Sequence, residues 1–312
     1  SGEILSKRRH GMGFLGLGST LTMLQMKYGD EGSLVFTERV AREMAEVGWQ
    51  IGLELGQEKG AAPVLEQEYA VNAEMLAIRP EMAEDGYQIG DLVKGSVLMG
   101  RYSRYMQQFS KDLQDDIAKK GCRFTHHTSI APTGTISLSL ANNVSNGIEP
   151  SFAHEYHRNI IREGKKSKES VAVSSYELLA YRATVNPDAQ VYATEGNNKL
   201  PNYFTVSDTI SPQVHVDIQA AAQFWIDSSI SKTINIPTDF DYEKFKNIYL
   251  YAFEKGLKGC TTFRFNPEVH QGVLVKETDL EKVSYEFILA DGTKVTAKGN
   301  EEIRYDGEIH TA

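Results

Sequence analysis

Ile230-Ser231-Lys232-Thr233-Ile234-Asn235-Ile236, then Tyr242 to Lys255, then Cys260-Thr261-Thr262-Phe263-Arg264-Phe265, is the stretch that decides the fold class. The first segment reads as a strand, the second as a helix stopped by Gly256, and the third as another strand. Strand, helix, strand is a βαβ unit, which implies parallel strands and a right-handed crossover. Just upstream, Val214, Ile218, Ala221, Ala222 and Trp225 mark a helix. Downstream the character changes. Tyr285 to Leu289 alternates, Asp291-Gly292 is a hairpin turn signal, Lys294 to Ala297 returns, and Asp306-Gly307 repeats the signal. Residues from about 270 onward therefore read as a small β-rich appendage, and the expected division is 1–268 and 269–312.

Towards the other end, a long amphipathic helix is predicted from Ser33 to Glu58. Phe36, Val40, Met44, Val47, Ile51 and Leu55 form its apolar face, Ser33 its cap and Gly60 its stop. Pro63 and Pro80 break regular structure, and a second helical stretch is predicted from Val93 to Lys119. Residues 124–150 read as strand, glycine turn and small polar residues, and residues 186–201 as a surface excursion.

Bulk properties exclude more than they assign. The 312 residues suffice for one large domain or two smaller ones, and 41% hydrophobic with 24% charged residues is ordinary globular composition. A formal net charge of −9 disfavours a protein that wraps a nucleic-acid duplex. No apolar run reaches the roughly 20 residues that span a bilayer, and the start has no signal-peptide pattern, so the cytoplasm is the expected compartment. Two cysteines, Cys122 and Cys260, exclude a disulfide framework and a four-thiolate zinc site. The opening Ser1 suits either a processed, split or truncated product or an added residue.

Gly11-x-Gly13-x-x-Gly16 matches the dinucleotide fingerprint as a string, yet that mechanism needs a buried strand before it. Lys7-Arg8-Arg9-His10 stands there instead, so glycines that permit close packing are the better reading. Ser129-Ile130-Ala131-Pro132-Thr133-Gly134-Thr135-Ile136-Ser137 carries more chemistry. A strand running into this turn exposes successive backbone N–H groups beside hydroxyls, which suits a phosphate. The same residues also suit a plain helix cap, and no Walker lysine is present. Asn146-Gly147-Ile148-Glu149-Pro150 reads as a loop. His126-His127 and His154/His157 lack a completing carboxylate, so no metal site is expected. Arg158, Arg162, Lys165, Lys166 and Lys168 could attract nucleotide phosphates or a partner, though a solvated helix end is the commoner reading. Cys260 ends a parallel strand, where active sites gather, though a buried thiol is the commoner identity. Cys122, beside Lys119, Lys120 and Arg123, has the charges for a lowered pKa but no general base.

Taken in order, Lys7 to Leu17, Ala131 to Ser137, Asn146 to Pro150, Ile230 to Pro237 and Gly256 to Arg264 resemble ribonucleotide reductases. Pro-Thr-Gly-Thr-Ile-Ser and Ser-Lys-Thr-Ile-Asn are similar to the adenosylcobalamin-dependent class. That resemblance implies an α/β fold: the second half of a ten-stranded barrel, with a β-rich C-terminal extension. It implies that Pro132, Thr133, Gly134, Thr135 and Ile136 hold the substrate's phosphates. It also implies ribonucleoside diphosphate substrates and adenosylcobalamin as cofactor. Thr261-Thr262 stands where the iron-dependent class carries a radical-transfer tyrosine pair. The family's Asn-Pro-Cys-Gly-Glu loop is missing, so no catalytic role passes to Cys122 or Cys260. The chain is then expected to be inactive alone and to need a partner with the N-terminal half, the completed enzyme forming a homo-oligomer. A non-catalytic nucleotide-binding or assembly module with the same fold is the alternative.

Overall fold

A computed structural model describes residues 2–141, 143–160, 169–237, 239–264, 274–275, 284–288, 294–298, 301–305 and 308–311. The chain divides into two compact units. The first comprises Ser1–Gly13, Leu34–Ala131 and Gln219–Ile230; the second comprises Phe14–Ser33, Pro132–Ile218 and Ser231–Ala312.

The first unit is built on residues 34–59 of the long helix Glu31–Lys59, which starts ahead of the predicted cap. Gly60 ends it in the left-handed region at φ 83°, as its lack of a Cβ allows. The buried face differs from the predicted one. Val47 and Ile51 are 56% and 46% exposed, whereas Thr37, Ala41, Ala45, Trp49 and Leu53 are buried. The cause is a row of glycines. Gly48 lies under the His127 ring, Gly52 under Phe124 and Cys122, and Gly56 against the backbone of Cys122 and Arg123. A helix this bare lets the segment 122–127 approach until Arg123 N–H donates to the Gly52 carbonyl at 2.9 Å. Burial in this contact pushes the Cys122 thiol up to about 11, opposite to the activation that its basic neighbours suggest.

Residues 10–13 and 127–130 then run parallel. Met12 N–H donates to the His127 carbonyl at 2.8 Å, and Ser129 N–H to that of Met12 at 2.9 Å. Gly11 and Gly13 lie so close to Ser129 that a Cβ on either would overlap it. These fingerprint glycines therefore serve close packing. Ile130 bridges to Ile230 in the same parallel sense, and Asp227 accepts from the backbone N–H groups of His127 and Thr128 at 2.8 and 3.1 Å. The predicted helix from Val93 to Lys119 is two helices, Gly95–Tyr102 and Lys111–Lys120. The second starts afresh because Ser110 caps it, its hydroxyl accepting from Leu113 N–H at 3.3 Å.

In the second unit the predicted βαβ element is present. Strand Thr233–Ile236 pairs in parallel with Thr261–Arg264, and the helix Tyr242–Glu254 lies between them in sequence. Asp241 caps that helix by accepting from Lys244 N–H at 3.0 Å. Ile234, Ile236, Val216, Ile248 and Ala252 form its core, and Cys260 packs at the margin. Each fully buried Ile is worth roughly 1.5–3 kcal/mol. Strand Glu155–Ile160 pairs antiparallel with Glu169–Ser174 and with Leu274–Val275. Arg158 therefore sits on a strand rather than at a helix end, while residues 161–168 of that basic cluster lie outside the described residues. Antiparallel pairs Ser284–Ile288 with Lys294–Lys298, and Glu302–Tyr305 with Glu308–Thr311, fall where hairpins are predicted. Their Asp-Gly turns lie outside the described residues. The fold is thus mixed α/β with both parallel and antiparallel pairs, and no closed barrel forms among the described residues.

Candidate functional site

The Pro132–Ile136 segment opens the short helix Gly134–Ser139. Thr133 stands in the left-handed region at φ 51°, unusual for a residue with a branched Cβ. Its hydroxyl does not cap the helix. Instead Thr133 Oγ1 accepts from Gly147 N–H at 2.8 Å and shares a 2.9 Å hydrogen bond with Ser137 Oγ. The loop is pinned from behind. Pro132, Gly134, Thr135 and Ile136 are exposed and Thr133 half-buried. The N–H groups of Gly134, Thr135 and Ile136 precede the bond from Ser137 N–H to the Thr133 carbonyl, so the helix itself leaves them over. The structure thus places the sequence-predicted residues on one turn that is exposed except at Thr133.

What holds this turn was not legible as function. Residues 143–150 form a bed around it, stitched to the last part of the glycine-rich segment. Gly16 N–H donates to the Ser145 carbonyl at 3.1 Å, Leu17 N–H to that of Gly147 at 3.2 Å, and Gly18 N–H to Ser145 Oγ at 2.7 Å. Ser145 Oγ donates on to the Glu149 carbonyl at 2.7 Å. Gly16 adopts φ 80°, and a Cβ at Gly18 would stand 2.8–2.9 Å from the Glu149 carbonyl, Pro150 Cα and Ser151 N. Gly18→Ala is therefore expected to push this bed away. A loss of about 1–3 kcal/mol in denaturant unfolding is the outcome that checks it, since backbone cannot swing aside as a flexible side chain can.

Beneath the bed lies a buried cluster. Lys232 is 0% exposed. Its Nζ donates to Glu149 Oε2 at 2.6 Å, His215 Nδ1 at 2.8 Å and the Thr233 carbonyl at 3.0 Å. The second carboxylate oxygen of Glu149 accepts from Thr233 N–H. Burial lowers the Lys232 pKa, and the Glu149 carboxylate opposes this. Burial and the adjacent ammonium hold His215 down at about 2, so its imidazole is neutral. Tyr28 closes the cluster: its hydroxyl donates to the Ile148 carbonyl at 2.6 Å, and its ring lies 5.9 Å from Lys232 Nζ.

The histidines weighed as metal ligands have other surroundings. His127 sits edge-on to Trp49 at 4.7 Å, and His154 Nδ1 lies 3.1 Å from Ser175 Oγ and 3.5 Å from the Glu177 carboxylate. No helix among the described residues is long and apolar enough to cross a membrane.

Parallel strand pairing together with helices defines a mixed α/β fold with an exposed hydroxyl-bearing turn at 132–136. The family described as ribonucleotide reductase, barrel domain, matches residues 2–263. The chain belongs to that family. It is 26% identical over 268 residues to a vitamin B12-dependent ribonucleoside-diphosphate reductase of Mycobacterium tuberculosis (strain CDC 1551 / Oshkosh), covering 83% of this chain and 31% of the relative. It is 30% identical over 181 residues to that of Thermoplasma acidophilum, covering 55% and 23%. A vitamin B12-dependent ribonucleotide reductase of Streptomyces clavuligerus is 24% identical over 288 residues, covering 88% and 29%. The chain spans about a third or less of the length of these relatives.

Proposed function

We propose that this chain is the substrate-phosphate-binding part of an adenosylcobalamin-dependent ribonucleotide reductase acting on ribonucleoside diphosphates. The observation that carries the reading is the pinned turn. Thr133 is held by Gly147, and Gly134 to Ile136, whose N–H groups the helix itself leaves over, are exposed residues. A phosphate seated there would be fixed by backbone dipoles that need no reorganisation, and such positioning is worth several orders of magnitude in rate. The thiyl radical that takes hydrogen from the ribose 3′ carbon would come from a partner carrying the N-terminal half. So would the paired reducing cysteines, whose two electrons and two protons let the 2′-hydroxyl leave as water and which end as a disulfide. Neither Cys122 nor Cys260 lies in an Asn-Pro-Cys-Gly-Glu loop, so that radical is assigned to neither.

The parallel contacts in each unit support a half-barrel comprising residues 1–268, with 269–312 as the extension. Adenosylcobalamin would supply the radical by homolysis of its cobalt–carbon bond. The buried imidazoles of His127 and His215 do not fit as ligands to its cobalt, since one is enclosed by aromatic rings and the other faces an ammonium. The completed enzyme would be a cytoplasmic homo-oligomer that makes DNA precursors.

Mixing the chain with an N-terminal fragment that carries the Asn-Pro-Cys loop should restore reduction of a ribonucleoside diphosphate. Association without activity in every such mixture would favour the non-catalytic module. Gly134→Val gives a narrower test. A Cβ at Gly134 meets nothing nearer than Asn146 Nδ2 at 3.8 Å, so the fold has room for it while a bound phosphate does not. Nucleoside diphosphate affinity is expected to fall at least about tenfold with the unfolding midpoint unchanged. Unaltered affinity would remove the phosphate assignment.

A further inference from the structure

We infer that Glu149 and Lys232 are positioning residues for the phosphate-binding turn, joining the bed beneath Thr133 to the strand Thr233–Ile236. The inference rests on the reading of that turn as the phosphate site.

A lysine beside a phosphate loop invites assignment as the phosphate's cation, and the geometry excludes it. An ammonium has three N–H donors, and Lys232 spends them on Glu149, His215 and the Thr233 carbonyl at 2.6, 2.8 and 3.0 Å. At 0% exposure it has no donor left for a ligand. The cation therefore acts through Glu149.

The path from Glu149 to the turn is short. One carboxylate oxygen meets Lys232 and the other meets Thr233 N–H, so the carboxylate grips the strand at two adjacent residues. The backbone of Glu149 is tied to the bed twice: its N–H donates to the Asn146 carbonyl at 2.8 Å, and its carbonyl accepts from Ser145 Oγ at 2.7 Å. Gly147, between them, holds Thr133 Oγ1 at 2.8 Å. Tyr28 fixes the residue before Glu149 through the Ile148 carbonyl. Every link is a hydrogen bond between named atoms within the second unit. His215 fits the same account, because its neutral Nδ1 supplies the third acceptor for the ammonium without adding charge. A glutamine at 149 has one acceptor oxygen where the carboxylate has two, so it cannot serve Lys232 and Thr233 N–H together. A methionine at 232 fills the lysine's volume and leaves the carboxylate holding the strand by one bond.

The test is amide hydrogen exchange on the 312-residue chain, with binding of inorganic pyrophosphate and of a nucleoside diphosphate measured in parallel. Glu149→Gln and Lys232→Met are each expected to speed exchange at residues 143–149 and at Thr233 tenfold or more. The helix Glu31–Lys59 should exchange as in the parent chain. Affinity for both probes should fall about tenfold, and Glu149→Asp, which keeps two acceptors, should recover part of it. If either single variant unfolds, the double variant Glu149→Gln/Lys232→Met leaves no buried charge unpaired and gives the same readout. Unchanged exchange at 143–149 in the folded variants overturns the inference, even where Gly134→Val abolishes binding. Faster exchange in a chain that binds neither probe leaves the joint standing and overturns the phosphate reading instead.

Discussion

Replacing Trp49 by alanine is expected to destabilise the first unit by about 3–5 kcal/mol, the range for emptying a buried indole site. Trp49 is 1% exposed in the middle of the long helix Glu31–Lys59. Its ring lies 4.7 Å from His127 edge-on, 5.7 Å from Phe124 and 6.3 Å from Tyr105. Gly48 and Gly52 flank it and have no side chain to collapse into the space, so the cavity stays open and the loss falls at the upper end. Its indole N–H also contacts the Tyr105 hydroxyl at 3.5 Å, and that hydroxyl donates to the Trp225 carbonyl at 2.8 Å. Denaturant unfolding of Trp49→Ala against Val47→Ala checks the claim. Val47 belongs to the face that periodicity selects, yet it is exposed, and its truncation should change stability by less than about 0.5 kcal/mol. Equal losses in the two variants would show the helix turned the other way.

That contrast marks where the sequence stopped being informative. Hydropathic periodicity weighs large side chains, and the buried face of this helix sets Trp49 and Leu53 among Thr37, Ala41, Ala45, Gly52 and the half-buried Gly48. Small residues carry little hydropathy and bury because they admit a neighbour, a reason that appears only once Cys122 to His127 is seen to occupy the space. The βαβ segment was legible because its signals are local: the strand patterns and the Gly256 stop lie within the element itself. The turn at Pro132 to Ile136 was legible as a string for the same reason. Its support was not. Glu149 reads as a loop carboxylate until it meets Lys232, 83 residues later in the chain. Gly18 lies two residues past the fingerprint-like Gly11, Gly13 and Gly16, and its use is contact with Glu149 to Ser151. Local motifs reveal what a segment can do, whereas partners far along the chain decide whether it is held in the form that does it.

Acidification from pH 7 to 4 should destabilise both units, each through one buried histidine. Burial holds His127 down at about 4, with His10 adding to the effect and Asp227 opposing it. Burial and then Lys232 hold His215 at about 2. Both side chains titrate near 6.5 once unfolded. Below 6.5 the unfolded chain takes up protons that the folded units refuse, so stability is complete above that value and falls with pH. For His127 the loss runs from 6.5 to 4 and then stops, since the folded site also protonates below 4. At about 1.36 kcal/mol per pH unit this is on the order of 3 kcal/mol. For His215 the loss is similar at pH 4 and continues towards pH 2. His127→Phe keeps an aromatic ring in the Trp49 site and should abolish the first unit's share of the slope, while the second unit's share persists. Trp49 fluorescence reads the first unit directly, because the imidazole is its edge-on neighbour at 4.7 Å. The two expected results are coupled: Trp49→Ala admits water to His127, raises its folded pKa towards 6.5 and flattens the acid slope. A variant that is less stable at pH 7 yet loses little more at about pH 4.5 would show that burial by Trp49 keeps His127 neutral. An acid slope unchanged in both Trp49→Ala and His127→Phe would assign the acid lability of this unit to its carboxylates.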